Sequence, residues 1–243
     1  MLLVIDIGNS RTKWALAGDD GKLTEFEVCM NVNITASNLS AAAQKADSVL
    51  IANVAGETMA QQITHLLKPL AVNFLTVNQQ ACGVTNGYAE PAKLGADRWA
   101  ALVAAWQRTK HATVVVNAGT AITIDVLDEK GSFLGGSIMP GLRLMHASLS
   151  DNTAQLKLSE GIAQNFPNNT QDAMATGNIN AVAGAIGIML KRLEKQCGWL
   201  PKLILSGGDA FIIADALKLN LKQVIMMENL VLQGLVLLAK ENK

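Results

Sequence analysis

Two stretches of this chain, 111 residues apart, follow one pattern: strand, glycine turn, strand, acidic turn, strand. The first begins "VIDIGNSRTKWALAG" and the second "VVVNAGTAITIDVLD". With Gly8 set on Gly119, Asp6 falls on Asn117, Asn9 on Thr120, Thr12 on Thr123 and Leu16 on Leu127. The turns "DDGK" and "DEKG" then coincide to within one residue. The spacing is close to half of the 243 residues. A whole supersecondary unit that recurs at this distance predicts a duplicated α/β fold, with one mixed-sheet lobe over 1–112 and a second over 113–243. Two lobes facing each other would leave a cleft where a nucleotide's phosphates are gripped by both glycine turns. The competing reading is that any two β-meanders resemble each other.

Between the repeats the periodicities alternate. Residues 35 to 47 and 56 to 68 read as helices, with "SVLIANV" between them as a strand. "VNFLTV" reads as a further strand, 79 to 95 as loop, and "GADRWAALVAAWQRT" as the start of a long helix. Residues 172 to 196 predict another helix, "KLILSGGDA" a strand with a Gly-Gly turn, "QVIMM" a short strand, and the remainder a last helix. Asp-Gly in "DDGK" is a strong hairpin signal. Half of the residues are apolar, enough for a sizeable core. The apolar C-terminal stretch is broken by Glu228, Asn229 and Gln233, so it reads as a core helix rather than a membrane span. Twenty cations balance twenty anions, which argues against a nucleic-acid or anionic-membrane partner. Cys29, Cys82 and Cys197 lack metal-ligand or disulfide spacing, which predicts a reducing cytoplasm and three buried thiols. Asp6 interrupts the opening apolar run, so no signal peptide is expected.

The opening turn carries chemistry. A strand ends at Asp6, and Gly8 allows the backbone to approach a ligand closely. Asn9, Ser10 and Thr12 add donors, and Arg11 and Lys13 add charge. Such a loop can cradle a phosphate, with Asp6 facing a metal ion or its water shell. An ordinary hairpin turn with solvated charge is the plainer alternative.

"DIGNSRTK", "GADRWAA", "NAGTAITID", "GGSIMPG" and "LSGGDA" occur in the order found in type III pantothenate kinases, and the chain resembles that family from residue 2 to about residue 239. The family belongs to the superfamily of acetate and sugar kinases, heat-shock chaperones and actin. The resemblance implies two ribonuclease H-like lobes, a homodimer, and phosphorylation of pantothenate by ATP with Mg²⁺. It places Asp6, Gly8, Asn9 and Lys13 in the first phosphate loop, with Asp6 on the magnesium side. It places Gly119, Thr120 and Thr123 in the second, and Gly207 and Gly208 beside the adenine. It makes Asp97 the general base for the pantothenate hydroxyl; a helix start favours an ionised carboxylate there. A plain N-cap is the other role for Asp97. Arg98 would clamp the substrate carboxylate through parallel hydrogen bonds. Tyr88 and Gly95 would line the pantothenate pocket, and Thr176 would reach it from the partner subunit.

One departure stands out. The family usually carries aspartate where this chain has Asn117, near a monovalent-cation site for K⁺ or NH₄⁺. An amide oxygen can still coordinate, but one negative charge is gone. Two rival readings remain: another small-molecule kinase of the same superfamily, and a non-enzymatic ATP-binding regulator. The second lacks the basic surface or DNA-binding helix that a DNA-binding regulator would need.

Overall fold

A computed structural model describes residues 1–151, 161–217 and 224–241. These residues fall into two compact units. The first takes in those of Met1–Lys110, Lys130–Leu134 and Asn229–Lys243; the second takes in those of His111–Glu129 and Gly135–Glu228.

The chain begins with strands β1 (Leu2–Ile7), β2 (Arg11–Ala17) and β3 (Leu23–Met30), followed by helix α1 (Ala36–Lys45). Then come β4 (Ser48–Asn53), α2 (Glu57–Leu66) and β5 (Val72–Phe74). Together the strands form a mixed sheet in the order β3-β2-β1-β4-β5. The hairpin strands pair antiparallel; β1, β4 and β5 run parallel. Alternation decides the faces. Leu3, Ile5 and Ile7 of β1 join Trp14, Leu16, Leu39 and Ile63 in one buried cluster. Asp6 therefore points to the opposite face.

Residues 79 to 95, expected as loop, contain a small hairpin of β6 (Gln80–Ala81) and β7 (Val84–Asn86), and a single helical turn at Pro91–Lys93. Strands this short carry no alternation to read in sequence. Helix α3 (Ala96–Thr109) follows. Its residues Arg98 to Trp106 are all buried, as a helix enclosed on every side must be. It stops at Lys110, which adopts a left-handed conformation.

The second unit repeats the plan. Strands β8 (Thr113–Ala118), β9 (Ala121–Leu127) and β10 (Ser132–Pro140) precede α4 (Leu142–Asp151), a helix absent from the sequence reading. After it come α5 (Thr170–Cys197), β11 (Lys202–Ser206), α6 (Ala210–Leu217) and β12 (Val224–Met226). The strand order is β12-β11-β8-β9-β10, the same topology as in the first unit. Val114, Val116, Ile122 and Ile124 pack with Val182 and Ile186 of α5 in this unit's own core. Asn169 caps α5 by accepting from the Asp172 N–H at 3.0 Å, and Gly198 ends it in the left-handed region. The first residues of β10, Ser132 and Phe133, pair with Thr85 and Asn86 in the first unit. The last helix, α7 (Leu230–Glu241), also belongs to the first unit, packed on α3, β1 and β4.

The repeat differs from its sequence alignment at one point. In β1 and β2, Asp6 opposes Lys13 and Ile7 opposes Thr12. In β8 and β9, Asn117 opposes Thr123 and Ala118 opposes Ile122. The second turn is thus one residue shorter. Thr123 matches Lys13, not Thr12, and Leu127 matches Ala17, not Leu16. The burial sequence along β2 recurs along β9 in this register. Nor are the three cysteines buried; each is partly exposed. The Cys82 backbone N–H and thiol both donate to the Glu241 carboxylate. Burial, then Glu241, pushes that thiol up to about 12.

Candidate active site

The first unit gathers most of the candidate groups. Asp6 leaves β1 on the face away from the core and sits directly across from Lys13. Burial pushes its carboxyl up to about 7; Lys13 opposes the shift, and the negative charge of Asp97 adds to it. Asp6 and Asp97 are therefore close enough to feel each other. The turn after β1 is held from beneath by Asn31, which the sequence reading missed. Asn31 donates its side-chain amide to the Gly8 carbonyl at 2.8 Å and its backbone N–H to the Ser10 carbonyl at 3.0 Å. The buried Thr12 hydroxyl donates to the Asn31 side-chain oxygen at 2.9 Å. Thr12 thus supports the turn rather than facing a ligand, while Asn9 is exposed at its tip.

Helix α3 starts at the "GADR" segment. Gly95 is its N-cap and Asp97 lies in its first turn. The Asp97 carboxylate folds back and accepts the Arg98 N–H at 2.7 Å. A Cβ at Gly95 would lie 2.7 Å from Asp97 Oδ1, so a side chain there would displace the carboxylate from this position. Contrary to the expectation from the helix start, the Asp97 pKa is raised: burial outweighs the favourable contact with the Arg98 N–H and charge. Arg98 is buried, with its guanidinium carbon 5.7 Å from the ring centres of both Tyr88 and Phe133. The two rings stack at 6.1 Å with planes 19° apart. Phe133 is a second residue missed in sequence; no local signal ties it to the "GADR" helix.

The second unit holds its own polar turn. Gly119 and Thr120 join β8 to β9, and the Gly141 N–H donates to the Thr120 carbonyl at 2.9 Å. A Cβ at Gly141 would collide with the carbonyls of this turn. Asn117 lies between Thr123 on β9 and Ser206 on β11. Gly207 has φ +98°, and a Cβ there would strike the Ala118 backbone; Gly208 faces open space. The buried Thr176 hydroxyl accepts the Gln164 N–H at 2.9 Å, which ties α5 to the segment before it.

The mixed sheets and their glycine turns define a class first: a two-unit α/β protein with the acetate-kinase type of fold. The acetate kinase of Porphyromonas gingivalis superposes with a TM-score of 0.53 at 12% identity, covering 100% of this chain and 99% of that one. A Campylobacter jejuni protein described as a Baf family transcriptional activator superposes with a TM-score of 0.63 at 24% identity, covering 99% and 98%. The description of the type III pantothenate kinase family matches residues 2–192. The type III pantothenate kinase of Methylobacillus flagellatus is 42% identical over 243 residues, 96% of each chain. That of Nitrosospira multiformis is 38% identical, covering 99% of this chain and 92% of its own. The chain belongs to the type III pantothenate kinase family.

Proposed function

We propose that this chain transfers the γ-phosphoryl group of ATP to the primary hydroxyl of pantothenate, giving 4'-phosphopantothenate on the way to coenzyme A. The observation that carries this reading is the Asp6–Lys13 pair set beside Asp97 in one unit, in a chain of this family. Phosphoryl transfer needs positioned phosphates, charge neutralisation and an oriented nucleophile. Lys13, with the Gly8–Asn9 turn, holds phosphate. Asp97 takes the hydroxyl proton as the hydroxyl oxygen bonds the γ-phosphorus and the bond to the β,γ-bridging oxygen breaks. Its raised pKa suits a base that must hold that proton. Arg98, buried and flanked by Tyr88, takes the substrate carboxylate, and Gly95 keeps the approach open.

Among the described residues no cluster of three metal-ligating side chains occurs. An ion that arrives on the nucleotide needs only one or two protein carboxylates, because Mg²⁺ keeps waters and phosphate oxygens. Asp6 would hold it, directly or through water; the bound ion supplies neutralisation of phosphate charge. In the second unit, Gly119, Thr120 and Thr123 are assigned to phosphate, and Gly207 and Gly208 to adenine. Asn117 is assigned to a weakened site for K⁺ or NH₄⁺. The active species is a cytoplasmic homodimer, with Thr176 at the partner's pantothenate pocket.

The test is direct. Purified protein with magnesium, ATP and pantothenate should yield phosphopantothenate by mass spectrometry. Asp97→Asn should lower kcat by about 10²–10⁴-fold with nucleotide affinity retained. Near-normal turnover would return Asp97 to the role of a helix cap.

A further inference from the structure

Asn86 ends strand β7 and is 1% exposed. Every polar group it owns is engaged. Its side-chain NH₂ donates to the carbonyls of Asn78 at 3.3 Å and Pro91 at 3.2 Å. Its side-chain oxygen accepts the Tyr88 N–H at 3.0 Å. Its backbone N–H donates to the Gln79 carbonyl at 2.8 Å, and its own carbonyl accepts the Gln79 side-chain amide at 2.7 Å. One carboxamide therefore fixes the chain before β6, the chain beyond Tyr88, and the Tyr88 backbone itself. Gly87 leaves no slack on the other side, because a Cβ there would collide with the Phe133 carbonyl. Tyr88 then stacks on Phe133 and faces Arg98.

We propose that Asn86 is the positioning residue for the recognition of the substrate's acid group, acting through the place of the Tyr88 ring beside Arg98. The proposal rests on the assignment of Arg98 and Tyr88 to pantothenate. Asparagine is the side chain this junction demands. It offers two donors to two carbonyls and one acceptor to an N–H. Aspartate would turn a charge onto both carbonyls, and a shorter hydroxyl cannot reach all three groups.

Asn86→Ser and Asn86→Asp test it. In Asn86→Ser the KM for pantothenate should rise about 10- to 100-fold, as expected when a binding group is misplaced by about an ångström. Nucleotide affinity should stay as in the parent. In a Tyr88→Ala background the same substitution should add little, since the ring through which it acts is gone. An equal rise in both backgrounds, or a loss of nucleotide affinity as large as the loss for pantothenate, would overturn the proposal. Tyr88 is the only tyrosine, so 3-fluorotyrosine reports on its ring without turnover. Its ¹⁹F resonance should move towards the solvent-exposed value in Asn86→Ser and Asn86→Asp; an unmoved resonance in both variants also overturns the proposal. A parent protein that leaves pantothenate untouched defeats the substrate reading instead, and the fluorine signal still decides whether Asn86 places the ring.

Discussion

The Asp6 carboxyl is held near neutrality by burial, even with Lys13 across the strand pair. Its proton affinity is raised on folding, so its contribution to stability is complete below the ordinary carboxylate range and is lost as pH rises through about 7. Metal-free protein should therefore melt at a lower temperature at about pH 8 than at about pH 5, and Asp6→Asn should lessen that fall. Calorimetry in chelator across this range checks it. Parallel curves for the two proteins would mean that Asp6 is ionised throughout. The same residue shows what the sequence made legible. A strand that ends in aspartate before a glycine turn announced a tight turn between two strands with charge on both of them. That Asn31 holds this turn, or that Phe133 backs Arg98, was not legible. Each of those contacts joins positions more than twenty residues apart through packing, and no periodicity records it.

Among the elements, those with long periodic stretches were readable: α1, α2, α3, α5 and the core strands lie within a few residues of their expected bounds. β6 and β7 are too short to alternate, and the second glycine turn lost one residue without disturbing the pattern around it. A one-residue change reassigns every partner across a strand pair, which is why Thr123 faces Asn117. Helix α7 was foreseen as a core helix, but its packing on α3 is a tertiary fact. The two helices approach closely at Gly234, where a Cβ would collide with the Ala100 carbonyl. Gly234→Ala should cost about 1–3 kcal/mol, as overpacked cores do. Because α3 carries Asp97 and Arg98 in its first turn, turnover should fall further than the loss of folded protein explains. Urea unfolding beside kcat measures both; an unchanged midpoint would show that the helices have room to separate.

At the scale of the molecule, each unit has its own core, yet α5 keeps one long side outside any core. Ala173, Gly177, Ala181, Gly184 and Ile188 recur at three- and four-residue spacing along that exposed side, and Ile188 is 51% exposed. Ile162 and Phe166, just before the helix, are 74% and 92% exposed. By length and apolar content α5 would also suit a membrane, but Val182, Ile186 and Leu193 anchor it in the second unit's core. Small residues let a second helix approach closely, and large apolar side chains at the rim gain about 25 cal/mol for each Å² they bury. A second copy of this chain is the occupant proposed here. Light scattering should give twice 25.7 kDa, and Ile188→Asp should shift the mass towards that of one chain. If the partner's Thr176 completes the pantothenate pocket, the separated variant should lose pantothenate turnover while it still binds nucleotide. If Asn117 stands at a site for potassium or ammonium, the missing charge should make the protein need more of the ion than relatives with aspartate there, or none at all; Asn117→Asp should then steepen the potassium dependence of the dimer. A parent protein that runs as one chain at full activity would remove the second copy from the pocket, and with it the role given to Thr176.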